Sequence, residues 1–374
     1  MSLLGVPLLI TLGALALLLP VLALLAWSRV RGNSALRSAQ RLGLVLTCQL
    51  AALTVAAAGL NDYGYFFTSW SQLLGQDHVR VHGISAQTAR LPLSVPGNPD
   101  EVDAIPIGHG SLRELRRSGR LDSIEIAGQH SKLIQPALVY LPPQVFRPGE
   151  RGVRFPGIEI LTGYPGSDVT LERRLQAPQV MEKLLAEHHA KPAILVLLRA
   201  SVAPPRDTEC TNIYRGPQAL TFFGVDVPQV ISHAYPARAT GWGVTGYSTG
   251  GYCASKIAMT HPQTFTAAAS MSGYYAADHD STTGDLWGGS QARQNLDDLS
   301  WRLQHLPAPA ISLLLCSSPT EHGYEGYSAA QNFLKLVRTP MTGELLSVSN
   351  GSHTFSTWSR ELPSVFEWFS RQLN

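Results

Sequence analysis

The segment Gly246-Tyr247-Ser248-Thr249-Gly250-Gly251 constrains this chain more than any other. A serine between glycines, with an apolar stretch before it and an Ala-rich one after, specifies a sharp turn from strand to helix. Such a turn leaves the serine hydroxyl exposed and aims the next backbone N–H at the same reacting atom, an arrangement suited to acyl chemistry. Two glycines and a serine in five positions match by chance easily, so the flanks carry the weight. Thr240 to Val244 leads in as a short strand. Tyr252 to Thr260 follows as a helix that His261-Pro262 stops, because proline pushes its predecessor out of the helical region. Phe265 to Met271 is then an apolar run of strand length, closed by Ser272-Gly273.

The N-terminus sets a second constraint. Leu3 to Trp27 carries no charge over a length sufficient to span a bilayer, and Gly43 to Leu60 is a second uncharged run. Both read as transmembrane helices. The alternative for the first, a cleavable signal peptide, lacks a positive residue ahead of the run and requires a shorter core. Arg29, Arg31, Arg37 and Arg41 lie between the runs with no acidic residue, so the positive-inside bias puts this loop in the cytoplasm and both flanks outside. All 27 acidic residues fall after Leu60, together with 25 of the 29 basic ones, which leaves the outer part near −2. Nothing in this balance points to nucleic acid, for which a clustered basic face is expected. The expected organisation is a membrane anchor at 1–60, an interfacial collar and linker at 61–120, and an extracytoplasmic domain at 121–374. The collar is the aromatic-rich stretch Asn61 to Gln76, since Tyr and Trp favour the membrane interface.

Within the outer domain, Asp122 to Ile126 and Ile134 to Leu141 read as antiparallel strands, followed by a strand at Ile158 to Leu161, a helix at Gln179 to His189 and a strand at Ala193 to Leu198. Strands alternating with helices argue a mainly parallel α/β sheet. An α/β hydrolase needs its parts in the chain order oxyanion loop, serine, acid, histidine, and this chain supplies all four. The loop Leu161-Thr162-Gly163-Tyr164-Pro165-Gly166 offers the N–H of Gly163 or Tyr164 to pair with that of Thr249 at an oxyanion. His353, on a loop between the apolar Leu345 to Val348 and an amphipathic helix at Leu362 to Leu373, suits the base. His188 and His189 on a helix, His261 at a helix end and His305 beside a Pro-rich loop lack that setting. For the acid, Glu321 lies nearest the end of the strand Ile311 to Cys316, with Glu325 in reserve; Asp297 and Asp298 precede that strand. Cys48 falls inside the second apolar run. Cys210 and Cys253 are placed so that a bridge would tie a polar loop to the rim of the site, the alternative being free thiols alongside Cys316. No metal-ligand spacing and no nucleotide motif is present, so neither metal nor cofactor is expected.

The stretches YLPP (Tyr140 to Pro143), LTGYPG, GYSTGGYCA, MSGYY and GSHTFSTW together resemble the esterase family that includes the antigen 85 mycolyltransferases and esterase D, over about Leu121 to Leu373. The two apolar runs ahead of it resemble actinobacterial membrane-anchored members. The resemblance implies an α/β-hydrolase fold, ester hydrolysis or acyl transfer, and a Ser-His-acid triad on Ser248, His353 and Glu321. Antigen 85 proteins are secreted without paired spans and carry Met-Ala after the elbow serine, where this chain has Thr249-Gly250. The mycolate substrate therefore does not carry over, and no adjoining motif fixes the acid. The expectation is a membrane-anchored extracytoplasmic serine esterase or acyltransferase acting on an ester of a lipid or envelope glycolipid, with water or a sugar hydroxyl as acceptor. The alternative is a non-catalytic carbohydrate- or lipid-binding module on the same fold.

Overall fold

The structure, a computed structural model, describes residues 6–64, 70, 84–85, 105–106 and 111–373. The aromatic stretch read as a collar falls largely outside them, as does most of the linker before residue 111. The chain forms two compact units, Met1–Val79 and Arg80–Asn374.

In the first unit, helix α1 (Val6–Trp27) and helix α2 (Ser34–Gly64) pack on each other, and Arg41 sits 5.0 Å over the Trp27 ring. Both helices are long and apolar enough to cross a membrane, and large side chains such as Leu17 and Leu24 are exposed along α1. Helix α2 starts nine residues before the apolar run expected at Gly43. The Asn33 side chain accepts the Leu36 N–H at 2.9 Å and so begins the helix early, which carries Arg37 and Arg41 onto it.

The second unit is an α/β hydrolase built on a ten-stranded sheet. Its strands are β1 (Ile84–Ser85), β2 (Ile105–Pro106), β3 (Arg120–Ala127), β4 (Ile134–Leu141), β5 (Gly157–Leu161), β6 (Ile194–Leu198), β7 (Trp242–Tyr247), β8 (Phe265–Met271), β9 (Ser312–Ser317) and β10 (Thr342–Ser347). They lie in the order β1-β3-β4-β6-β5-β7-β8-β9-β10, with β2 on β3. The pairs β2–β3, β3–β4 and β4–β6 are antiparallel, while β1–β3 and every pair from β6 to β10 are parallel. The central strands are buried on both faces, which is why Ile194–Leu198 reads as an unbroken apolar run. On one face Trp242 and Val244 pack with Tyr252, Ile257 and the apolar side of the helix Val227–Ala234. On the other, Ile158, Ile160 and Ala269 pack with Met181, Phe366 and Phe369. The parallel strands therefore all end on one edge, and that edge carries the loop after β5, Ser248 and the segment after β9.

Expected boundaries shift at β7, which runs Trp242–Tyr247 rather than from Thr240 to Val244, and at three helices. Pro178 opens the helix Ala177–Ala186, which stops before His188 and His189 and leaves both beyond it. The elbow helix begins at Thr249 rather than Tyr252. The last helix spans Phe355–Gln372, with Pro363 inside rather than at its start. Ser352 N–H donates to Thr357 Oγ1 at 2.9 Å, and Trp358 is buried, so tertiary contacts hold the extra turns that proline alone would disfavour.

Glu361 on this helix is fully buried, and among the described residues neither of its carboxyl oxygens has a hydrogen-bond partner. Burial, aided by the Glu321 charge, pushes it up to about 8 from an ordinary 4.5. Between those two values the unfolded chain has released a proton that the folded chain keeps, so stability falls as pH rises through the window and levels off above it. We predict that Glu361→Gln raises Tm by several degrees at pH 8 and much less at pH 5. The same Tm difference at both pH values would contradict this assignment.

Candidate active site

Strand β7 ends at Tyr247 and the helix Thr249–Thr260 starts two residues later, so Ser248 alone makes the turn, at φ 57° and ψ −125°. A non-glycine residue persists there only where its surroundings over-determine it. Those surroundings close in at two glycines: a Cβ on Gly250 would lie 2.3 Å from the backbone Leu161 O, and one on Gly163 would lie 3.0 Å from the Ser248 Cβ. The loop after β5 thus rests directly against the serine. Ser248 N–H donates to Met271 O at 3.0 Å, which pins the turn to the end of β8. Thr249 occupies the first helical position, where an amide has no intrahelical acceptor. Burial pushes the Tyr247 phenol well up. The two loop amides named from the sequence, those of Gly163 and Tyr164, lie in the loop after β5.

His353 lies between β10 and the last helix, and Trp358 in the first turn of that helix positions it. The indole stacks on Tyr247 with centroids 4.3 Å apart and meets the imidazole edge-on at 5.0 Å. It also donates from Nε1 to Ser272 Oγ at 3.0 Å. One side chain thereby ties the imidazole to the residue before Ser248 and to the end of β8.

Both candidate acids reach the same nitrogen. His353 Nδ1 is 3.1 Å from Glu321 Oε1 and 3.2 Å from Glu325 Oε1. Their surroundings separate them. Glu321 is buried, and its second oxygen accepts from Ser272 Oγ and Ser317 Oγ, each at 3.0 Å. Burial alone would raise its carboxyl, but the hydrogen bonds from His353, Ser272 and Ser317 outweigh that and hold it below the usual carboxylate range. Glu325 has no such serine pair; burial raises its carboxyl, and the pull of His353 does not offset this. Two carboxylates and an imidazole with ligand atoms within 4.8 Å of one another could also hold a cation, and here those atoms bond to each other. Among the described residues the Ser248 hydroxyl has no hydrogen-bond partner, so its contact with the imidazole is open in the free protein. Contacts of this kind commonly close only around bound substrate.

A buried polar layer behind Thr249 escaped the sequence reading. Thr249 Oγ1 donates to Asp207 Oδ2 at 3.4 Å and accepts from Tyr274 Oη at 3.2 Å. The same tyrosine hydroxyl lies 2.6 Å from Glu209 Oε1, while Glu209 Oε2 is buried without a partner. Lys256, fully buried on the elbow helix, pairs with Asp297 Oδ1 at 2.6 Å and donates to Thr211 Oγ1 at 2.8 Å. Cys210 and Cys253 are joined by a disulfide, which fastens the loop bearing Asp207 and Glu209 to the elbow helix. The available signal was Lys256 itself, because a lysine inside an apolar helix requires a buried counter-charge.

The family model Putative esterase matches residues 135–369, and the chain belongs to that esterase family of serine hydrolases. The fold is similar to an S-formylglutathione hydrolase from Agrobacterium tumefaciens, with a TM-score of 0.59 at 14% identity over 72% of this chain and 99% of that one. It is also similar to MPT51 of Mycobacterium tuberculosis, with a TM-score of 0.51 at 14% identity over 68% and 99% of the two chains. FphF, a fluorophosphonate-binding serine hydrolase of Staphylococcus aureus, gives 0.53 at 15% identity over 67% and 98%. An uncharacterized protein of Corynebacterium glutamicum is 20% identical over 248 residues, which are 63% of this chain and 57% of the relative. The chain thus spans little more than half the length of that relative.

Tyr274→Phe would leave the buried Glu209 carboxyl with neither oxygen paired, at a cost of about 1–3 kcal/mol. We predict a Tm several degrees below wild type for this variant. An unchanged Tm would show that the Tyr274 hydroxyl does not stabilise the layer.

Proposed function

We propose that the protein is a serine esterase or acyltransferase, anchored in the cell membrane by α1 and α2, whose domain from residue 121 onward acts outside the cytoplasm on an ester of a lipid or envelope glycolipid. One observation carries the reading: Ser248 is held at φ 57° against Gly163, while Trp358 ties its neighbour Tyr247 to an imidazole already paired with a buried, ionised Glu321. In this reading Ser248 is the nucleophile, His353 the base and Glu321 the acid. The amides of Thr249 and of Gly163 or Tyr164 hold the oxyanion.

Ser248 Oγ attacks the acyl carbon as His353 Nε2 takes its proton, and the carbonyl oxygen gains the negative charge that the amides stabilise. Collapse of this intermediate breaks the ester bond, and the leaving alcohol takes the proton from Nε2. Water or a sugar hydroxyl then gives its proton to Nε2 as it attacks the acyl-enzyme, and Ser248 Oγ leaves by taking that proton back from Nε2. Glu321 orients the ring and stabilises its charged form through Nδ1. Three features support the cellular placement: the apolar length of α1 and α2, the arginines between their apolar runs and the Cys210–Cys253 bridge, which suits an oxidising exterior.

The open Ser248 hydroxyl favours a second reading, in which the cleft only holds carbohydrate or lipid. Hydrolysis of p-nitrophenyl esters of graded acyl length, with and without trehalose, separates the two. We predict that Ser248→Ala lowers kcat by about ten-thousandfold, Glu321→Gln by about a thousandfold or more, and Glu325→Gln by less than about tenfold. Wild-type turnover no faster than the uncatalysed reaction, and so unchanged in Ser248→Ala, would leave the binding module; enzymatic turnover that survives in Ser248→Ala would place the nucleophile elsewhere. A larger loss in Glu325→Gln than in Glu321→Gln would move the acid to Glu325.

A further inference from the structure

A cavity of about 530 Å³ lies at the edge of the sheet opposite Ser248, where β3, β5 and β7 begin. Its volume is that of a small-molecule site. Arg116, Arg120, Arg147, Arg151, Arg154 and His233 line it, against a single acidic residue, Glu150. Arg120 is neutralised by Asp122 at 2.8 Å. Among the described residues no carboxylate pairs with the other four arginines.

Two of those four have structural bonds. Arg154 donates to the carbonyls of Ser232, Ala237 and Tyr235, and Arg116 donates from Nε to Phe146 O at 3.1 Å. Carbonyls satisfy hydrogen bonds without cancelling the formal charge. Among the described residues the guanidinium groups of Arg147 and Arg151 have neither a hydrogen bond nor an ion pair, and both residues are exposed at the cavity. Guanidinium groups gathered without counter-charge repel one another, and their planar fork of N–H donors matches the paired oxygens of a phosphate or carboxylate. Leu112 and the exposed Val153 add apolar surface to the same wall.

We infer that this cleft binds a phosphate-type oxyanion presented by an anionic lipid headgroup, with Arg147 and Arg151 as its primary ligands. An oxyanion ligand follows from the cleft alone. The lipid as its source rests on the membrane-anchored reading, because a domain tethered beside a bilayer meets headgroups at high effective concentration. A headgroup held at this edge directs the opposite strand ends, and Ser248 with them, away from the lipid surface. The contact weakens as salt screens it.

The test is amide hydrogen exchange on the full chain in nanodiscs of phosphatidylcholine alone or mixed with phosphatidylglycerol. The expected result is exchange across residues 145–155 slowed about tenfold or more by phosphatidylglycerol, the scale of hydrogen bonds to charged groups. That slowing should vanish in the double variant Arg147→Gln/Arg151→Gln, whose turnover of a soluble ester stays at the wild-type level. Equal exchange in the two discs, or protection that survives the double variant, overturns the proposal while leaving the esterase and the anchor in place. Equal protection by inorganic phosphate in phosphatidylcholine discs would overturn the lipid source in favour of a free anion. A chain that does not enter the discs overturns the membrane reading, and the lipid source with it.

Discussion

The backbone at Ser248 is the constraint on which the rest depends. A residue at φ 57° between a buried strand and a buried helix exists only because three chain segments close on it without side chains intervening. Gly250 lets the elbow helix approach Leu161 O, and Gly163 lets the loop after β5 meet the serine itself. A methyl group at either position would displace the loop or the helix. The parallel order β5-β7-β8-β9 then places every other component on the same edge, because each of these strands ends there.

Hydrogen bonding and burial sort the two carboxylates that converge on His353. Glu321 is enclosed and accepts from two serines as well as the imidazole, so its charged form is favoured despite burial. Glu325 has the same reach to Nδ1 and no comparable support, so burial raises its carboxyl instead. Distance alone, 3.1 Å against 3.2 Å, would not have separated them. Trp358 matters for a related reason: it fixes the ring that both acids address, by stacking on Tyr247 and bonding Ser272.

The elbow, the loop after β5, the histidine loop and the strand before Glu321 were legible in the sequence because each is a local signal, a turn or an apolar run at the right place. What stayed hidden depends on contacts between residues far apart in the chain. Trp358 bonds Ser272, 86 positions away, and no spacing rule reaches that far. Pro363 reads as a helix start until Thr357 and Trp358 are seen to hold the turns before it. The layer of Asp207, Glu209 and Tyr274 behind Thr249 draws on two loops, and the arginine cleft on three segments whose charges look dispersed in sequence. The early start of α2 is the opposite case, a local cap at Asn33 hidden by attention to hydropathy alone.

The central claim is that Ser248 is a nucleophile whose hydroxyl, open in the free protein, is activated by His353. Reaction of the full chain with a fluorophosphonate, followed by peptide mass spectrometry, tests it most directly. The account predicts one phosphonyl adduct, located on Ser248 and formed far more slowly when His353 is replaced by glutamine. An adduct on another residue, or none on folded protein, would contradict it.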